Sequence, residues 1–161
     1  MNKFEDVESY APNLRDKIIV IAPHHTDMSN SMIYMEHDGQ IISRTSYLQT
    51  TSFVEHFLHL QGTSLFGSRT SARNLYNFRK NIPIYAPITH QVIHKYRVTA
   101  SPDPIYFFTV LYNVTSIAKK KSELTVQSLS FTVEASKKQC LDLQRWASHY
   151  FLVKAAAHQL I

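Results

Sequence analysis

Apolar and polar residues alternate along this chain with a period that changes several times. Lys17-Ile-Ile-Val-Ile-Ala22 is an unbroken β-branched run closed by Pro23, the pattern of a strand buried on both faces. Ser31–Glu36 and Gln40–Arg44 flank His37-Asp38-Gly39, and Asp-Gly between two strand-like runs signals a hairpin. From Ser46 to Gln61 the spacing of Tyr47, Leu48, Phe53, Val54, Phe57, Leu58 and Leu60 becomes partly helical, with Gly62 as a stop. Ile82–Tyr85 is a short strand. Gln91–Val98 alternates, with Val92, His94, Tyr96 and Val98 on one face and Ile93, Lys95 and Arg97 on the other. Ser101-Pro-Asp-Pro104 reads as a turn, and Ile105–Val114 as a strand that is either core or a free edge. Glu123–Glu134 reads as a strand or hairpin, bulged near Ser128. Ser136 caps a last helix over Lys137–Gln159, whose apolar face is Leu141, Trp146, Tyr150 and Val153 with Leu143 and Ala147. These elements predict an α+β fold, mainly antiparallel β-sheet, with a mid-chain helix and a C-terminal amphipathic helix. Residues 1–16 are a polar, acidic lead-in, and 17–161 form one domain.

Composition supports an ordered globular chain. Of the 161 residues, 44% are hydrophobic and 18% charged, enough apolar material for one sizeable core. The one cysteine, Cys140, excludes an internal disulfide and fits a reducing compartment. No apolar run approaches the ~18 residues of a membrane helix. The N-terminus lacks a signal core, so the expected location is cytoplasmic, with no membrane partner.

Charge changes the picture more. The net charge of +5 conceals polarity: residues 56–122 hold nine Lys/Arg against one acid, Asp103, and the remainder is net negative. At the centre lies Gly62-Thr-Ser-Leu-Phe-Gly-Ser-Arg-Thr-Ser-Ala-Arg73, continued to Lys80. It carries two of the three glycines, Gly62 and Gly67, together with small hydroxyls including Ser68, four cations and interleaved aromatics. Glycines there serve loop geometry; hydroxyls, amides and arginines donate to phosphate oxygens. The spacing is not that of a Walker A loop. A polyanion is the implied partner, nucleic acid ahead of a membrane surface.

Leu65-Phe66-Gly67-Ser68-Arg69-Thr70-Ser71-Ala72-Arg73 resembles the Phe-Gly-Ser-Ser…Gly-Arg signature of the ComK family of bacterial competence activators. Lys80-Asn-Ile-Pro-Ile84, Ser101-Pro102 before Ile105-Tyr-Phe-Phe108, and Thr132–Ser136 followed by Gln144-Arg-Trp-Ala147 follow in the family's order. Thr63 and Ala72 depart from the family's Cys and Gly. The resemblance implies a transcription activator of competence genes that binds AT-rich double-stranded DNA through the minor groove and self-associates as a dimer or tetramer on it. It also implies RNA polymerase and a proteolytic adaptor as partners and a nucleoid-associated location. On this reading Arg69 and Arg73 enter the groove, where a narrow A·T minor groove attracts arginine, and Arg79, Lys80, Lys95 and Arg97 hold phosphates. Ile105–Val114 offers an edge for self-pairing.

Other chemistry is thinner. His24-His25-Thr-Asp27, His56 with His59, and His90 with His94 are the tight histidine groups, and none has the spacing of a metal motif. Cys140 lies on an amphipathic helix, Ser68 lacks a Gly-x-Ser-x-Gly context, and no carboxylate pair stands out. Neither enzyme activity nor a cofactor is expected. The alternative is a non-enzymatic protein-interaction or regulatory module, a shortened relative of the family without DNA binding of its own.

Overall fold

The computed structural model describes residues 17–27, 29–67, 69–70, 82–99 and 101–159. In order these form β1 (Lys17–Pro23), β2 (Ser31–His37), β3 (Gln40–Ser46), α1 (Thr50–Leu60), β4 (Ile84–Ala86), β5 (Gln91–Val98), β6 (Ser101–Phe107), β7 (Asn113–Ala118), β8 (Lys121–Val126), β9 (Leu129–Val133) and α2 (Lys137–Gln159). Six strands make one sheet in the order β3-β2-β1-β6-β5-β4, and three make a second, β7-β8-β9. All pairings are antiparallel. This is the α+β class expected, with a mid-chain helix and a C-terminal helix.

Local chemistry explains the elements. Asp38 and Gly39 both take positive φ, 50° and 78°, which a two-residue turn needs to match the twist of β2 and β3. α1 buries Thr50, Phe53, Val54, Phe57 and Leu58, one stripe at helical spacing. Its end is a left-handed cap: Gly62 (φ 76°) donates to His59 O at 3.0 Å, and Thr63 donates to Leu58 O at 3.0 Å. α2 starts on a reciprocal cap. Gln139 N donates to Ser136 Oγ at 3.2 Å, and Ser136 N donates to Gln139 Oε1 at 2.9 Å. Ser136→Ala is expected to lower stability by about 1 kcal/mol in chemical denaturation. An unchanged midpoint would show that the cap contributes nothing.

β1 is buried along Ile18–Ala22 because both faces of the large sheet are covered. One apolar cluster joins Ile18, Ile21, Ile33, Met35, Ile93, Tyr106 and Phe108 to Phe53, Phe57 and Leu58 of α1. The other joins Val20, Tyr96, Ile105 and Phe107 to Leu124, Val126 and Val133 of the small sheet and to Cys140 and Leu143 of α2. The two clusters lie back to back on the same strands. No described helix is long and apolar enough to cross a membrane.

Three expectations are corrected. Residues 101–104 are not a turn but the start of β6. Its prolines are tolerated because β1 pairs with β6 only at Tyr106 and Phe107, so one side of residues 101–105 has no strand beside it in the described ladder. Ile105–Val114 is not one strand: β6 ends at Phe107 and β7 begins at Asn113, and Ile105–Phe108 are buried, so this part is core, one of the two alternatives. The expected face of α2 holds at Leu143, Ala147 and Tyr150, which are buried together with Cys140, but fails at Leu141 and Trp146, which are 45% and 37% exposed. Glu123–Glu134 resolves into the β8–β9 hairpin, with Gln127 (φ 53°) in its turn.

Candidate nucleic-acid interface

The period-two argument for β5 holds at the positions that matter. Ile93 packs into the α1-side cluster and Tyr96 into the opposite one, and Lys95 and Arg97 are both exposed. Lys95 pairs across the strands with Tyr106. The Tyr106 hydroxyl lies 3.1 Å from Thr51 Oγ1 in the first turn of α1, and Thr50 Oγ1 donates to Pro104 O at 2.7 Å. The start of α1 is therefore fastened to β6 beside Lys95. That first turn carries no acidic residue, and its N-cap Gln49 makes no side-chain cap, so the partial positive charge of the helix end adds to the local field.

Arg69 reaches the same place. Residues 65–67 and 69–70 are helical rather than the expected loop. Leu65 anchors this turn in the α1-side core, and Ser64 Oγ accepts from Gly67 N at 2.9 Å. Gly67 does not supply a positive φ. Its role is close approach, since a Cβ there would stand 3.0 Å from Ser64 Oγ. Gly62, in contrast, supplies the left-handed angle expected of it.

The three cations feel one another. Partial burial lowers the Lys95 ammonium below its ordinary pKa, and the like charges of Arg69 and then Arg97 lower it further. Burial is the main influence raising the Tyr106 phenol, which the Thr51 bond and Arg69 oppose and Asp103 and Glu55 reinforce. Among the described residues no carboxylate comes within ion-pair distance of Arg69, Lys95 or Arg97. The surface is not free of acids, however. A groove running past Lys95 and Arg97 is also lined by Asp103, Glu134 and Gln139. Like charges held together without a paired counter-ion favour binding of an anion, because it relieves their repulsion.

The structure thus brings together Arg69, Lys95 and Arg97, three of the six cations expected to contact DNA. Arg73, Arg79, Lys80 and Ser68 lie outside the described residues. Sequence reasoning missed Thr51 and Tyr106, which brace the site. Tyr96, Tyr106, Phe107 and Phe108, the aromatics of β5 and β6, are core residues. His94 does not stand with His90 as a ligand pair. It is buried, with Nε2 2.8 Å from the Tyr112 hydroxyl. Among the described residues no group of three His, Cys, Asp or Glu side chains is placed to hold a metal ion. Cys140 is buried, and burial raises its thiol pKa.

Compared with family models, curated proteins and solved structures, the chain finds no match.

Proposed function

We propose that this protein is a DNA-binding transcription activator of competence genes, of the ComK type, that takes AT-rich duplex DNA on the surface formed by Arg69, Lys95 and Arg97. The observation that carries the reading is the convergence of these three cations, from a helical turn and a strand distant in sequence, with no carboxylate in ion-pair distance among the described residues. The Phe-Gly-Ser…Arg resemblance over residues 65–73, whose signature arginine corresponds to Arg73, supplies the transcriptional part. Arg73, Arg79 and Lys80 follow within eleven residues of Arg69 and extend the charge.

The test is binding of the purified protein to an AT-rich duplex and a random duplex over a range of salt. Each phosphate contact contributes about 0.9 to the log–log slope on duplex DNA. Three to six contacts therefore predict a slope of about −3 to −5, and tighter binding to the AT-rich duplex. Affinity that stays flat with salt, or no binding at physiological salt, rejects the reading in favour of a protein-interaction module.

A further inference from the structure

We infer that Phe66 is a base-contacting side chain, whose ring enters the bound duplex between neighbouring base pairs while Arg69, Lys95 and Arg97 engage the backbone and groove beside it. The inference rests on the DNA-binding reading and deepens it. Single exposed hydrophobics are ordinary on protein surfaces. What distinguishes Phe66 is its setting. Its side chain is 81% exposed, although the adjacent Leu65 is buried in the α1-side core. The turn that carries it is fixed at both points: Leu65 packs inward, and the Ser64 hydroxyl holds Gly67 N. The ring is therefore presented outward by a turn seated on the core, which lowers the cost of ordering it when it binds. Arg69 stands three residues further along the helical turn, on the same side of it, and Arg69 acts electrostatically on Lys95 and Tyr106. An apolar ring beside cations is the arrangement by which minor-groove proteins wedge open a base step. AT-rich sites contain the TA steps that unstack most readily.

The probe is an AT-rich duplex in which 2-aminopurine replaces the adenine of one TA step, scanned through the site. Its fluorescence rises when the base loses its neighbour's stacking. Saturating protein is expected to raise the signal at one or two positions. Phe66→Ala is expected to abolish that rise at saturation and to weaken binding about tenfold. Its thermal transition should stay in place, because the side chain has little to lose in the fold. Phe66→Leu, an alternative apolar wedge, should restore part of the rise. Lys95→Ala should weaken binding but keep the rise at saturation. Tight binding without any rise, or a rise that survives in Phe66→Ala, overturns the wedge and leaves DNA binding standing. Failure to bind any duplex overturns both. A Phe66→Ala protein that turns from dimer to monomer without DNA, with the fluorescence unaffected, overturns the wedge and assigns the ring to a second copy of the chain.

Discussion

Acidification from pH 6.5 to about 4.5 is expected to cost the fold roughly 2 kcal/mol through His94 alone, the slope approaching about 1.4 kcal/mol per pH unit below pH 6. His94 lies in the middle of β5, and burial pulls its pKa down from 6.5 to about 3. Its ring stacks on Phe107 and Tyr112. Tyr112 and Tyr96 hydroxyls lie 2.6 Å apart, and Tyr96 donates to Cys140 O at 3.4 Å. Because Tyr96 gives its proton to that carbonyl, it accepts from Tyr112, and Tyr112 in turn accepts from His94 Nε2–H. The neutral tautomer with its proton on Nε2 follows. It leaves Nδ1 as a buried nitrogen without a hydrogen-bond partner. A second proton would have to enter on Nδ1, inside the core, with no acceptor for it and no carboxylate in the network among the described residues. The sign is therefore fixed. Unfolded chain binds a proton near pH 6.5 and folded chain does so only near 3, so the contribution is intact above 6.5 and is lost progressively as pH falls towards 3. Urea titrations between pH 7 and 4 measure this. His94→Leu is expected to flatten that acid limb, whatever it does to stability at pH 7. An identical limb in the variant would move the acid sensitivity to other groups.

His94 also marks where the sequence was legible. Its membership of the Tyr96 face follows from period two alone, as does the pairing of Lys95 with Arg97 on the other side. The turn at Asp38-Gly39, the stop at Gly62 and the Ser136 cap were legible for the same reason: each is decided by residues within four positions. The partner of His94, Tyr112, lies eighteen residues away and required the strand to end at Phe107, which no local pattern announces. The prolines of 101–104 read as a turn because the sequence does not say which flank of a strand lacks a neighbour. Trp146 was assigned to the core because α2 carries apolar residues around much of its circumference. Leu143, Ala147 and Tyr150 were legible; only the docked helix shows that Cys140, and not Leu141 or Trp146, completes the inward row. In the candidate site, Lys95 and Arg97 were legible as a pair. The arrival of Arg69 beside them depends on how Leu65 seats its turn against α1 and the sheet, a tertiary fact.

Removing Lys95 and Arg97 together is expected to have the largest effect on binding. If each holds one phosphate, the double alanine variant lowers the log–log salt slope by about two units, so the penalty between 50 and 200 mM salt shrinks by roughly tenfold. Affinity at low salt falls equally for AT-rich and random duplexes, because backbone contacts carry no sequence information. Neither side chain is a core group, and both point from an otherwise buried strand into solvent, so the thermal transition should persist. Lys119 and Lys120 provide the internal comparison. They belong to the same basic stretch of sequence but sit in the exposed turn between β7 and β8, in the small sheet that covers the opposite face. Their replacement by alanine should leave the slope unchanged. Arg69→Ala separates groove reading from backbone holding. As a groove contact it should cost the AT-rich duplex about 1–3 kcal/mol and narrow its advantage over random DNA. Equal losses on both duplexes for Arg69, Lys95 and Arg97 would make all three phosphate clamps. A slope that responds to Lys119 and Lys120 instead would place the DNA on the other side of the molecule.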